Sequence, residues 1–104
     1  MHDAGPIFSE YANDPDMVEI VEGFVARTPS RRAAFWSAYD SRNALDLKRL
    51  AHQLKGSAGG YGFAILTQVA GSIEAAIEAE DDLASVEPLL RQLDQLLLRV
   101  RVRA

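Results

Sequence analysis

Apolar residues recur at three- and four-residue steps along most of the chain, and this period is typical of amphipathic helices. Asp14 and Pro15 predict an N-cap and a first helical position for one segment, and Thr28 and Pro29 repeat the signal for a second. The pattern over residues 15–41 fits either two helices or one kinked helix. The positions predicted to face the core in this part are Met17, Val18, Val21, Phe24, Val25, Ala34, Phe35, Ala38 and Tyr39.

The second half of the chain carries the signals of three more helices. Asn43 with Asp46 three residues later resembles a capping arrangement, and Gly62 is a predicted helix stop because glycine suits the left-handed position there. Ser85 is the predicted N-cap of the last helix, which places Pro88 in a first turn that needs no N–H from it.

These segments predict an all-α fold. No stretch of strand length alternates between apolar and polar residues, and the connections are short, so neighbouring helices are expected to pack antiparallel. We predict an up-and-down four-helix bundle with an extra short N-terminal helical segment. Residues 1–104 form one predicted domain, with an N-terminal segment at 1–13 and the bundle at 14–102.

Composition removes several classes of function. Of the 104 residues 48% are hydrophobic, which is enough for a core, and the net charge of −4 argues against a dedicated nucleic-acid binder. The chain has no cysteine and only two histidines, His2 and His52, which excludes thiolate and multi-histidine metal sites. No apolar run reaches the length of a membrane span and the N-terminus lacks a signal-peptide pattern, so we expect a cytoplasmic protein without membrane contact.

The stretch LAHQLKGSAGGYGF at residues 50–63 departs from an ordinary helix pattern. On a helical wheel His52 points away from the apolar face, and Gly56 and Gly59 lie one and two turns beyond it on the same side. Together with Gly60 these glycines cost about 3 kcal/mol of helix stability relative to alanine. Such a cost indicates a surface left open for another backbone to approach the histidine.

Charge and chemistry agree with that interpretation. Between residues 47 and 73 the only formally charged side chains are Lys48, Arg49 and Lys55, which predicts a positive surface around His52 for an anionic ligand or partner. Neutral imidazole is a nucleophile, and a lysine one turn away compensates charge on a group that the ring accepts. These residue types in this pattern predict transfer of a phosphoryl group to His52.

The run AHQLKGSAG at residues 51–59 resembles the H-x-x-K-G motif of histidine phosphotransfer (HPt) domains, and the helix pattern of nearly the whole chain is similar as well. The resemblance implies a four-helix bundle that accepts a phosphoryl group from the aspartate of one response-regulator receiver domain and passes it to another. It implies His52 as the phospho-acceptor and Lys55 as its charge-compensating neighbour. It implies Gly56, with Gly59, as the gap that admits the receiver.

The resemblance also implies partners. We expect receiver domains and a hybrid histidine kinase to bind a monomeric domain, with Lys48 and Arg49 in the contact surface. The chain is then a covalent phosphohistidine carrier without kinase activity of its own. It needs no cofactor or metal, since Mg²⁺ is expected on the receiver. The family implies Nε2 as the phosphorylated ring nitrogen, which the residues alone leave open.

Three other interpretations stay open at this point. His52 is a plain surface histidine if its lysine, its glycines and its helix pattern coincide by chance. The chain is a helical adaptor if it docks on receivers or kinases without being phosphorylated. It is an anion- or nucleic-acid-binding hairpin if Lys48, Arg49 and Lys55 contact phosphates, and affinity for DNA then falls steeply with salt.

Overall fold

The computed structural model describes residues 5–79 and 83–102, which form five α-helices and one pair of short strands. In chain order the elements are β1 (Ile7–Phe8), α1 (Val18–Ala26), α2 (Thr28–Asp40), α3 (Ala44–Ala58), α4 (Ala64–Ala79), α5 (Glu87–Arg99) and β2 (Val100–Arg101), with 3₁₀ turns at Gly59–Tyr61 and Leu83–Val86. The predicted all-α bundle is confirmed: α2 to α5 are its four long helices, and α1 is the short helix before them.

Side-chain contacts show that the helices pair antiparallel, as predicted. Moving forward along α3, the contacted residues run backward along α4, and the same holds for α2 and α5. The pairs that show this are Lys48–Glu78 and His52–Glu74 between α3 and α4, and Arg32–Asp94 and Tyr39–Glu87 between α2 and α5.

The core is built from the inward stripes of all five helices. Full burial of a Leu, Val or Phe side chain is worth about 1.5–3 kcal/mol, so these stripes hold the bundle together. The largest fully buried side chains are Phe35, Phe63, Leu47, Leu66, Ile73, Leu90, Leu93, Leu97, Val21, Val86 and Val100.

The predicted start of α3 is confirmed, and the other three predicted N-caps are wrong. Asn43 caps α3, and its side-chain oxygen accepts the Asp46 N–H at 3.0 Å. Asp14 instead accepts the N–H of Asp16 and closes a turn, so α1 begins four residues later. Thr28 lies one residue after the N-cap of α2, and Ser85 one residue before that of α5. Main-chain turns rather than capping side chains set these starts, because none of the three N-cap residues makes a side-chain cap bond.

Two helices, rather than one kinked helix, occupy most of the segment 15–41. Arg27 separates α1 from α2, with φ −89° and ψ 1°. Its N–H bonds back to the carbonyls of Phe24 and Val25, which closes the last turn of α1. The chain then enters α2 with Pro29 in its first turn, where a missing N–H costs nothing.

A short parallel strand pair joins the two ends of the described chain. Ile7 lies opposite Val100, and Arg99 Nε donates to the Gly5 carbonyl at 2.7 Å. The sequence predicted no strand, and that expectation is wrong, because two residues are too few for alternation to be visible. The described part of the predicted N-terminal segment, residues 5–13, consists of β1 and turns.

Gly62 turns the chain from α3 into α4, as predicted for a helix stop. Its φ is 86°, in the left-handed region, and the Phe63 N–H donates back to the Ala58 carbonyl at 3.0 Å. The N-terminal segment packs against this turn, since the Glu10 N–H donates to the Gly62 carbonyl at 3.0 Å. A Cβ at Gly62 would lie 2.6 Å from the Glu10 nitrogen, so no larger residue fits without moving main chain.

We expect Gly62→Ala to lower the free energy of unfolding by about 2 kcal/mol, from left-handed strain and the clash with main chain. Gly60→Ala is the matched control, because a Cβ there meets nothing within 4 Å. The control is expected to be neutral or stabilising by up to about 1 kcal/mol. Urea unfolding of both variants is the measurement, and equal stabilities would contradict the role assigned to Gly62.

Candidate functional site

α3 holds His52 on its outer face. Leu47, Ala51, Leu54 and Ala58 are buried on the opposite side of the helix. The His52 side chain is 68% exposed, which confirms the prediction that it points to solvent. The helix therefore presents a histidine that another protein can reach.

A buried carboxylate on α4 orients the exposed ring. Glu74 Oε2 lies 2.8 Å from His52 Nδ1, and the Glu74 side chain is only 11% exposed. Lys55 Nζ lies 2.6 Å from the other oxygen, Oε1, so one carboxylate binds both side chains that the sequence singled out. We call His52, Lys55 and Glu74 the acceptor cluster.

Sequence reasoning missed Glu74, although a signal was present. Glu74 follows Ala70 by four residues and precedes Ile77 by three, so it lies on the inward stripe of α4. An acid on such a stripe needs a charged or hydrogen-bonding partner to offset its burial. The acid therefore indicates that a basic side chain from a neighbouring helix reaches it.

The Lys55 ammonium lowers the pKa of the Glu74 carboxyl below its ordinary value; His52 lowers it further, while burial acts in the opposite direction. Glu74 is thus a carboxylate at neutral pH, and a carboxylate can only accept a hydrogen bond. In this contact the proton is assigned to Nδ1 of His52, which leaves the lone pair of Nε2 in a neutral ring facing outward.

Gly71 on α4 makes room for the Lys55 side chain. A Cβ at Gly71 would lie 3.3 Å from Lys55 Cδ, so the aliphatic stem of the lysine runs closely over this position. The Lys55 main-chain carbonyl also accepts a bond from Thr67 Oγ1 at 3.2 Å. Both contacts fix the turn of α3 that carries Lys55 against α4.

The other two bases of the predicted positive surface have carboxylate partners as well. Lys48 Nζ lies 3.1 Å from Glu78 Oε2, and Arg49 Nε donates to Asp46 Oδ1 at 3.0 Å. The predicted positive surface around His52 is therefore offset by acids: α4 supplies Glu74 and Glu78, and α3 itself supplies Asp46. These pairs are partly or largely exposed, and such pairs contribute little and exchange partners easily.

The two glycines assigned to partner contact have different surroundings. A Cβ at Gly56 would meet nothing within 4 Å, so the surface beside His52 is open there. A Cβ at Gly59 would lie 3.3 Å from Thr67 Oγ1, so this glycine faces α4 rather than free space. The geometry favours Gly56 as the position over which a partner approaches.

Within residues 5–79 and 83–102, no group of three or more His, Cys, Asp or Glu side chains is arranged to hold a metal ion. None of the helices in these ranges has both the length and the apolar character needed to cross a membrane. The expectation that the domain uses no metal or cofactor of its own stays a prediction.

A model of the Hpt domain family matches residues 19–103, which include nearly all of α1 and the whole of α2 to α5. The chain belongs to the Hpt domain family. Searches of curated proteins and of solved structures found no match. Hpt domains are histidine phosphotransfer carriers of two-component phosphorelays rather than kinases, and receivers and kinases are their partners in general.

The lowered pKa of Glu74 gives the stability of this Hpt domain a defined pH dependence. A carboxyl with a lowered pKa stabilises the fold above its unfolded value, about 4.3 for glutamate, and this stability is lost as pH falls through the folded pKa. We therefore expect the unfolding free-energy difference between wild type and Glu74→Gln to be largest near neutral pH and to shrink in acid. Urea unfolding across pH is the measurement.

The matched control for that experiment is Glu78→Gln, which removes the same charge from α4 one turn later, at a more exposed side chain. The control is expected to keep the acid-dependent loss of the wild type. A difference between wild type and Glu74→Gln that does not change with pH would show that the carboxylate is not held by its two partners.

Proposed function

We propose that this Hpt domain accepts a phosphoryl group on Nε2 of His52 from the aspartyl phosphate of one receiver domain and passes it to the aspartate of another. The observation that supports this most strongly is the contact between Nδ1 and Glu74, because in the neutral ring it assigns the proton to Nδ1 and leaves the lone pair on Nε2 of an exposed side chain. An oriented neutral imidazole is the form of histidine that acts as a nucleophile.

In the proposed step the Nε2 lone pair attacks phosphorus and forms the N–P bond. The bond between phosphorus and the receiver's carboxylate oxygen breaks, and the aspartate leaves as a carboxylate. The proton stays on Nδ1, where Glu74 balances the positive charge that the ring gains. Transfer to the second receiver is the same step in reverse.

Lys55 supplies positive charge beside the phosphoryl group. Its side chain is 41% exposed, and its ammonium lies on the same carboxylate as the His52 ring. The transferred group brings negative charge to this point, so we assign the lysine to charge compensation during transfer. We assign the Mg²⁺ of the reaction to the receiver.

The proposed docking surface surrounds His52 on α3. Gly56 leaves space for the receiver's backbone, and Lys48 and Arg49 border the same face. Gly59 lies in the turn at the end of this surface, where a Cβ would face Thr67 of α4. The exposed ion pairs of Lys48 and Arg49 can be exchanged for acidic groups of a partner at little cost. We propose a monomeric cytoplasmic carrier, without kinase activity, that serves a hybrid histidine kinase and its receivers.

We expect His52→Gln to abolish acceptance of labelled phosphate from phosphorylated receivers, because the amide lacks a nucleophilic nitrogen. Stability should change by about 1 kcal/mol at most, since the glutamine amide still donates to Glu74. The control is His2→Gln, which removes the other histidine of the sequence. Full labelling of His52→Gln would contradict the assignment. A wild-type domain that binds receivers but never accepts label would be an adaptor instead.

We expect Gly56→Leu to block transfer while leaving the fold as stable as the wild type or more so. Leucine gains nearly 1 kcal/mol of helix propensity over glycine, but it projects where the receiver approaches. Gly23→Leu is the matched control, because Gly23 lies within α1 and a Cβ there also meets nothing within 4 Å. Thermal unfolding and transfer rates of both variants are the measurements that test this expectation. Normal transfer by Gly56→Leu would mean that the receiver does not pass over this position.

A further inference from the structure

A second polar site lies apart from the acceptor cluster, in a cleft between α1, α2 and α3. The cleft has a volume of about 270 Å³, and its polar lining residues are Arg27, Arg31, Gln53, Ser57 and Tyr61. None of the three residues of the acceptor cluster lines it. The liquid volume of a water molecule is about 30 Å³, so the cleft has room for about nine non-hydrogen atoms.

Arg31 is held rigidly in the wall of this cleft. Its Nη1 donates to the Phe24 carbonyl at 3.1 Å, and its guanidinium carbon lies 4.2 Å from the centre of the Phe24 ring. A guanidinium fixed by a carbonyl and an aromatic face keeps its remaining N–H groups in one orientation. Fixed donors of this kind suit a phosphate or carboxylate group, which arginine binds through two parallel hydrogen bonds.

The charge of the cleft is not balanced within the described chain. In residues 5–79 and 83–102, neither Arg27 nor Arg31 forms an ion pair with a carboxylate, whereas Arg32, Arg49 and Arg91 each do. Burial and then repulsion from Arg27 lower the pKa of Arg31, so the fold carries the cost of two adjacent like charges. An anion between the two guanidiniums would remove that cost.

We propose that this cleft binds a small organic anion, with its phosphate or carboxylate group between Arg27 and Arg31 and its remaining atoms beside Gln53 and Ser57. The side-chain amide of Gln53 forms no hydrogen bond with any residue that the structure describes, so it is available to the ligand. Ser57 Oγ makes only one long contact, 3.5 Å, to the Leu54 carbonyl. This binding is independent of phosphoryl transfer on His52.

The test is a titration of the ¹⁵N-labelled domain with inorganic phosphate, phenyl phosphate and benzoate, at an ionic strength held constant with sodium chloride. We expect saturable shifts of the amide signals of Gln53, Ser57 and Arg31. Phenyl phosphate is expected to bind more tightly than inorganic phosphate, because its ring fills the cleft beside Tyr61. The comparison with benzoate decides between phosphate and carboxylate as the preferred group.

Arg27→Gln is expected to lower the affinity for the best of these probes at least about tenfold, the effect of losing one charged hydrogen bond. Arg27 is exposed, so this variant tests the site without the packing that Arg31→Gln would also remove. The matched control is Arg42→Gln, because it removes the same charge from another exposed arginine that does not line the cleft. The control and His52→Gln are both expected to bind as wild type.

Three results would overturn the proposal. The first is the absence of saturable shifts with all three probes, and the second is binding that Arg27→Gln leaves unchanged. The third is a shift of the amide signals of Arg27 and Arg31 when a receiver domain is added and none of the probes binds. That result would make the cleft a contact surface for a protein. Loss of phosphoryl transfer in His52→Gln bears only on the acceptor, so the two proposals fail separately.

Discussion

The left-handed turn at Gly62 sends α4 back along α3 in one register, and the charged contacts between these helices follow from that register. Both helices have about 3.6 residues per turn, so a contact made near the turn sets the later ones at intervals of about a turn. Glu74 thereby meets His52, and Glu78 meets Lys48 one turn further on. A slip of one residue would rotate Glu74 by about 100° around α4 and remove the ring's acceptor.

A single buried carboxylate reconciles two requirements of the acceptor cluster. A surface histidine is accessible but free to adopt several rotamers, and an inward-facing glutamate costs stability unless charged partners reach it. Glu74 binds the ring of His52 with one oxygen and the ammonium of Lys55 with the other. The acid is stabilised in its place and the ring is oriented with Nε2 outward, while 68% of the histidine side chain remains exposed.

Positive charge is distributed in two different ways on this acidic domain. Around His52 each base has a carboxylate partner, so the proposed docking face is nearly neutral, and its two exposed pairs, Lys48–Glu78 and Arg49–Asp46, hold their partners only weakly. In the cleft beside α1 the guanidiniums of Arg27 and Arg31 repel each other, and neither forms an ion pair with a carboxylate of residues 5–79 or 83–102. The first arrangement suits a partner that docks and leaves, and the second suits an anion that stays.

The amino-acid sequence by itself determined the helices, the cap at Asn43, the stop at Gly62 and the exposed His52 with its lysine at position 55, because each depends on neighbours within a few turns of one helix. The sequence did not predict the starts of α1, α2 and α5 correctly, since main-chain turns rather than capping side chains set them. Only the tertiary structure decided which acid meets the histidine. Glu74 is 22 residues away along the chain, and only antiparallel packing brings it to Nδ1. The same packing compensated Lys48 and Lys55 with Glu78 and Glu74 of α4, because these charge pairs depend on distances between helices, which residue order along one helix does not contain.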